Sequence, residues 1–250
     1  MSKFLLQPNI PKKYVALCCI AFGEEKIKKS LRDLSIEVIE CKGSADIDLS
    51  IRNHSDINIH YLGNGDIICN NKLNELKKIL LQKNFNVIDS QKSILSPYPD
   101  DISLNYFAIN NMIFGNITNI DAGILHYYQN KSYSFINVNQ GYAKCTTCIV
   151  DNNSVITSDI GSAQIYKKCG LDVLLIDSGD IDLQGYDYGF IGGCSGLISK
   201  NILAFSGDIT KHKNWNKIKA FLSDRNVKYI CLTDERLVDI GSIIPLKEID

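Results

Sequence analysis

The chain has 250 residues, 45% of them hydrophobic, and a formal net charge of −1 at pH 7. That is enough apolar material for a substantial core, without the basic excess that marks a nucleic-acid or anionic-membrane surface. The opening MSKFLLQPNIPKK is broken by Gln7, Pro8 and Asn9 too early for a secretory signal, and the apolar run Tyr14 to Phe22 falls far short of the roughly 20 residues of a membrane helix, so a cytoplasmic protein is expected.

Taken in order, Tyr14 to Phe22 reads as a strand, Glu24 to Leu34 as a helix and IEVIEC as a second strand. Lys42 to Arg52 is a connection. From Asp56 the pattern is strand (DINIHYL), turn (GNGD), strand (IIC), helix (KLNELKKILLQKN) and strand (FNVID), and Asp89 to Tyr98 is again a connection. From Asp101 come LNYFAI, the turn NN, MIFG, a weaker helical or loop segment over Ile120 to Gln129, and SYSFINV. The clearest unit follows: CTTCIVD, NNS, VITS, the helix GSAQIYKKCG with Gly170 as its stop, and the buried-looking strand LDVLLID. The last complete unit is GFIGGCSGLI, SKN, ILAFS, a helix over Asn214 to Asp224, and VKYICL.

Asp56, Asp101, Cys145, Cys194 and Asp239 open these units 45, 44, 49 and 45 residues apart, a period that marks repeated supersecondary modules. The first unit has no strand ahead of Tyr14, and the tail VDIGSIIPL supplies the missing one, which would remove two open edges. The expectation is one domain over 1–250, with units at about 10–41 plus 237–247, 54–90, 100–138, 143–177 and 187–232.

Five strand, strand, helix, strand units closed on one another resemble the pentein fold, the α/β propeller-like architecture of guanidine-modifying enzymes such as arginine deiminase, amidinotransferase and dimethylarginine dimethylaminohydrolase. The resemblance implies five ββαβ units around a pseudo-fivefold axis, the first closed by the C-terminal strand. The strings VNQGYAKCTTCIVD, YGFIGGCSG, FSGDITKH and VDIGSIIPL are also similar to an uncharacterised clostridial family of that fold. Two catalytic strings of the enzymes differ here: a GGSxRC-like string with a C-terminal nucleophilic Cys is replaced by IGSIIP, with Pro245 at the thiol position, and an EGGD-like string by IGGC at Ile191 to Cys194.

In such a ring the unit-opening residues converge, bringing a thiol beside carboxylates. Cys145 is the candidate nucleophile because Lys144 precedes it and a nearby cation favours the thiolate. Alternating strand geometry would point the two side chains to opposite faces, and a free Cys is equally at home in a core. His54, two residues before Asp56, and His212, four after Asp208, are candidate proton carriers, or loop histidines that satisfy local backbone groups. His60 and His126 read as structural. Asp56, Asp101 and Asp239 would pair with a cationic group. Gln140, on the connection into Cys145, would contact the ligand.

Nine dispersed cysteines, an odd number, fit buried thiols better than a disulfide framework. CTTC is half a zinc site with no second CxxC, CxxH or HxxxH, so no metal and no cofactor is expected. Three functions stay open. The first is a thiol-dependent hydrolase or transferase acting on a small basic compound with a guanidino, amidino or amide group. The others are a non-catalytic platform for a macromolecule, resembling the pentein that keeps ribosomal subunits apart, and a small-ligand sensor.

Overall fold

The computed structural model describes residues 1–250. The first module contains β1 (Ser2–Phe4), β2 (Val15–Ala21), α1 (Glu25–Asp33) and β3 (Glu37–Cys41). The second has α2 (Ser55–Asn58), β4 (Ile59–Gly63), β5 (Asp66–Cys69), α3 (Asn74–Gln82) and β6 (Asn86–Asp89). The third has β7 (Phe107–Ile109), β8 (Met112–Gly115), α4 (Ala122–Gln129) and β9 (Ser134–Asn137). The fourth comprises α5 (Ala143–Thr146), β10 (Thr147–Ile149), β11 (Ser154–Thr157), α6 (Ile160–Lys168) and β12 (Asp172–Leu175), followed by the short β13 (Ile181–Asp182). The fifth is β14 (Ser195–Ser199), β15 (Ile202–Phe205), α7 (Trp215–Asp224) and β16 (Lys228–Cys231), and the chain ends with β17 (Leu237–Val238) and β18 (Ile244–Ile249).

Modules two to five share one wiring: an antiparallel hairpin, then a helical crossover to a parallel third strand. The hairpins are tight because the right residues sit at their turns. Asn64–Gly65 and Asn110–Asn111 all have positive φ, at 54°, 88°, 49° and 57°, the conformation that a two-residue hairpin matching strand twist demands. The helices start and stop on local signals too. Asp159 accepts from the Ser162 amide at 2.6 Å and Gly170 lies past the end of α6 at φ 84°. The weak segment of the third unit is a formed helix, α4, capped by Asp121 on the Gly123 amide at 2.8 Å.

The first sheet has the order β1-β18-β2-β3. The tail does close the first unit, antiparallel to β2 with Ile244 opposite Cys19, but only from Ile244 onward. Leu237 and Val238, expected in the same strand, pair instead with β13, and the N-terminal residues Ser2–Phe4, to which the sequence pattern assigns no element, form a further strand on the other side of β18.

Five hydrophobic cores lie between successive modules. One joins modules one and two through Leu17, Ile39, Ile67 and Leu80, and the next joins two and three through Ile68, Tyr106 and Tyr128. Phe107, Phe114 and Tyr166 link three and four, Ile156, Phe205 and Leu222 link four and five, and Ile20, Leu31, Ile198 and Ala204 link five back to one. No helix is long and apolar enough to cross a membrane.

Candidate active site

Two one-turn helices carry the candidate side chains. In α2 and α5 the backbone turns once just before entering β4 and β10, where the sequence pattern suggested strand from Asp56 and Cys145 onward. The difference matters. Adjacent residues on a helix are about 100° apart and not opposed, so Lys144 and Cys145 both reach the same buried hub, contrary to the alternation expected of a strand.

At the hub, Cys145 Sγ donates to Asp56 Oδ2 at 2.8 Å and lies 4.0 Å from His54 Nδ1. His54 Nδ1 is also 3.8 Å from Asp239 Oδ1. Lys144 Nζ donates to Ser242 Oγ at 2.9 Å, and the Ser242 hydroxyl has Asp56 Oδ2 at 2.7 Å and the Gly192 carbonyl at 3.0 Å as acceptors. The two oxygens of Asp239 accept from the amides of Gly241 at 3.0 Å and Phe190 at 2.8 Å. All six side chains are buried, with Cys145 only 2% exposed. Residues from the second, fourth and fifth modules and from the tail thus meet in one polar cluster.

Glycine makes the convergence fit. A Cβ on Gly193 would lie 1.9 Å from Asp239 Oδ1, and one on Gly241 2.2 Å from the His54 Cβ, so at both positions the backbone approaches the hub's own side chains more closely than any residue but glycine allows. Ser242 itself has φ 73°, a strained conformation for a residue with a Cβ.

Burial dominates the electrostatics. It raises the Cys145 thiol well above its ordinary range, and the charges of Asp56 and Asp239 add to this, while Lys144 opposes it with the smallest effect. The expected activation of the thiol by Lys144 is therefore outweighed. Asp56 is raised by burial against the pull of His54 and Lys144. Asp239 is raised to about 6 by burial, against the amides of Gly241 and Phe190. His54 is lowered by burial, with Asp56 and the Asp239 backbone opposing.

Of the residues expected at the site, Cys145, His54, Asp56, Asp239 and Lys144 come together. Three do not. His212 is buried in the turn before α7, where its Nδ1 accepts from the Asn214 amide at 3.0 Å and its charged neighbours are Asp180, Lys213 and Asp177; it satisfies a local backbone group. Asp101 accepts from the Tyr142 hydroxyl at 2.8 Å, because its place in the third module falls several residues ahead of β7. Gln140 accepts from the Tyr142 amide at 3.1 Å and lines a surface cleft of about 300 Å³ with Tyr98 and Asp159.

Two hub residues escaped the sequence reading. Asn105 takes the place expected of Asp101: its Oδ1 accepts from the Lys144 and Cys145 amides at 2.8 and 3.3 Å, and its Nδ2 donates to the Asp56 carbonyl at 3.2 Å. Ser242 stands in IGSIIP, three residues before Pro245, where a hydroxyl next to glycine carries no signal of its own in the sequence. Cys194, also expected at the axis, donates to the Ile191 carbonyl at 3.3 Å and belongs to the core between modules four and five.

A family profile described as a family of unknown function (DUF6873) matches residues 21–244. No curated protein matches. Among solved structures, an inosamine-phosphate amidinotransferase from Streptomyces griseus is similar at TM-score 0.57 and 9% identity, over 92% of this chain and 91% of that one. An agmatine deiminase from C. jejuni with substrate bound is similar at 0.56 and 12%, over 98% and 96%. DDAH from Pseudomonas aeruginosa is similar at 0.54 and 7%, over 93% of each chain. These are pentein-fold enzymes, and at such identities the likeness establishes the fold, an α/β pentein.

Proposed function

The chain belongs to the family of unknown function DUF6873, and we propose that its members of this kind are thiol-dependent hydrolases or transferases acting on a small basic compound with a guanidino, amidino or amide group. The observation that carries this reading is the buried contact of Cys145 Sγ with Asp56 Oδ2 at 2.8 Å, with His54 Nδ1 4.0 Å away. The reading also takes the five modules as a ring around a pseudo-fivefold axis with the hub at its centre, which the five cores shared by successive modules support.

The hub holds more acid than base. Asp56 and Asp239 face one lysine, so a cationic ligand gains charge-assisted hydrogen bonds there. Its arrival also neutralises the two carboxylates that keep the thiol protonated, which ties activation of Cys145 to binding. The sulfur then adds to the amidino carbon as its proton passes to Asp56. The carbon–nitrogen bond breaks as the leaving amine takes that proton, handed on from Asp56 through His54, and water or an acceptor amine, giving up its own proton along the same path, releases the thiol from the covalent intermediate. With Cys145 only 2% exposed, the ligand enters by local opening of 189–194 or 239–242, the glycine-bearing segments that cover the hub.

Paired electrophiles test the reading: a chloromethyl amidine and its neutral chloromethyl amide isostere, with alkylation mapped by mass spectrometry. The amidine should modify Cys145 at least about tenfold faster than the amide, equivalent to 1.4 kcal/mol of preference. Equal rates, or amidine labelling confined to the more exposed Cys169 and Cys231, would sink it. Turnover of guanidino compounds, where found, should vanish in Cys145→Ala.

A further inference from the structure

The hub contains a set of donors that the thiol reading does not use up. Cys145 Sγ, His54 Nδ1 and an Asp56 carboxylate oxygen all lie within 4.8 Å of one another. They come from two segments far apart in sequence, so no cysteine-spacing rule finds them. Asp56 is 2% exposed, yet its Oδ1 has no hydrogen-bond partner. Leaving a buried carboxylate oxygen empty costs free energy that folded proteins ordinarily avoid. His54 Nδ1 makes only long contacts to the hub's polar side chains, 3.8 Å to Asp239 Oδ1 and 4.0 Å to the sulfur. Both distances are too long for strong hydrogen bonds, and the 4.0 Å between sulfur and nitrogen is within about half an ångström of the roughly 3.3–3.8 Å that separates neighbouring donors around a tetrahedral ion with bonds of about 2.0–2.3 Å.

We propose that Cys145, His54 and Asp56 form a binding site for one divalent cation of the zinc class, with Asp56 Oδ1 turned toward the ion and a fourth position left open. The donor chemistry selects the class. One sulfur, one imidazole nitrogen and one carboxylate suit zinc or cobalt, whereas magnesium and calcium take oxygen donors. The charge count agrees: with the thiol and both aspartates ionised, Lys144 leaves two negative charges buried, and a divalent ion cancels them. Binding releases the thiol proton to solvent, and the Sγ–Asp56 contact becomes two bonds to one metal. Supporting groups are in place, since Ser242 Oγ holds Asp56 Oδ2 at 2.7 Å and Asn105 Nδ2 lies 3.7 Å from the sulfur. An ion held there occupies the sulfur lone pair, so metal and electrophile compete for one atom.

Metal binding at the hub needs no turnover and is read by itself. Cobalt(II) titrated into the chelator-stripped, reduced protein should give one equivalent of a species with a sulfur-to-cobalt charge-transfer band, displaced by zinc. The band should be lost in Cys145→Ser, weakened at least about tenfold in cobalt affinity in Asp56→Asn, and retained in Cys231→Ser. No band in the wild type, or a band that survives in Cys145→Ser, overturns the site. Should Cys145→Ser fail to fold, zinc protection of the wild-type thiol decides. Alkylation of Cys145 is expected to slow at least about tenfold under saturating zinc, and an unchanged rate refutes the proposal. The amidine experiment can fail while this one succeeds, and the reverse.

Discussion

His54 and His60 are both buried to within 4% exposure, yet their surroundings assign them different work. His60 has both ring nitrogens engaged, Nδ1 with the Leu104 carbonyl at 3.3 Å and Nε2 with the Tyr128 hydroxyl at 3.2 Å. A carbonyl only accepts, so Nδ1 carries the proton and the tyrosine donates to Nε2. The ring is neutral and satisfied, and burial lowers its pKa to about 4. His54 instead points its Nδ1 across gaps of 3.8 and 4.0 Å at a carboxylate and a thiol, the arrangement on which the proposed proton transfer rests. The pH consequence at His60 follows from linkage. Its folded pKa is below the unfolded value near 6.5, so between them the unfolded chain binds more protons. The stabilisation is present in full above about 6.5, and is lost as pH falls toward 4, to the extent of roughly 3 kcal/mol. Urea unfolding from pH 7 to pH 4 should show this slope in the wild type and a slope shallower by that amount in His60→Leu. Parallel profiles would mean that the ring is already protonated or open to water.

The elements that orient the hub are the two short helices, and one residue from the third module ties them. Asn105 accepts from two amides of α5 and donates to a carbonyl of α2. Four residues make too small a helix to persist alone, so the tie and the following strands hold them. Asn105→Ala leaves buried amides without an acceptor and should cost about 2–3 kcal/mol, seen as a lower urea midpoint at unchanged m-value. A change below about 0.5 kcal/mol would show that the strands alone fix the turns. The same shortness explains what the amino-acid pattern concealed. One turn carries no helical periodicity, and Ile57, Ile59 and Tyr61 alternate as a strand would, so the pattern alone puts Asp56 and Cys145 on strands. The period of 45 residues led to Asp101 because connections differ in length between modules; the structurally matching residue is Asn105. Hub members Cys145, Asp56, His54 and Asp239 were legible because thiol, imidazole and carboxylate are conspicuous at unit starts. Ser242 was not, since a hydroxyl beside glycine reads as a turn.

At the scale of the molecule, the hairpin-and-crossover sheets were legible because hairpin turns, helix stops and apolar strands recur in the same order. The closure by the tail was legible because the first unit lacked a partner strand. The first four residues were too few and too mixed to announce β1. Each core belongs to two modules, so no module can melt without stripping apolar surface from both neighbours, and unfolding should be a single transition. The ends sit at the centre of this economy. Strand β18 lies between β1 and β2, Leu246 is fully buried, and the Met1 amino group is 4.0 Å from an Asp250 carboxylate oxygen. What the fold requires is therefore β18 in its slot and not a chain that begins at residue 1. A circular permutant that joins 250 to 1 through about five Gly/Ser residues, with new ends between the exposed Asp187 and Tyr188, should unfold in one transition within about 1 kcal/mol of the parent. Deletion of 244–250 should abolish that transition, because it opens the first sheet in its middle and uncovers the cores on both sides. A truncated chain that still melted cooperatively would show that β1 and β2 can pair without the strand between them, and the closure by the tail would then be dispensable to the fold.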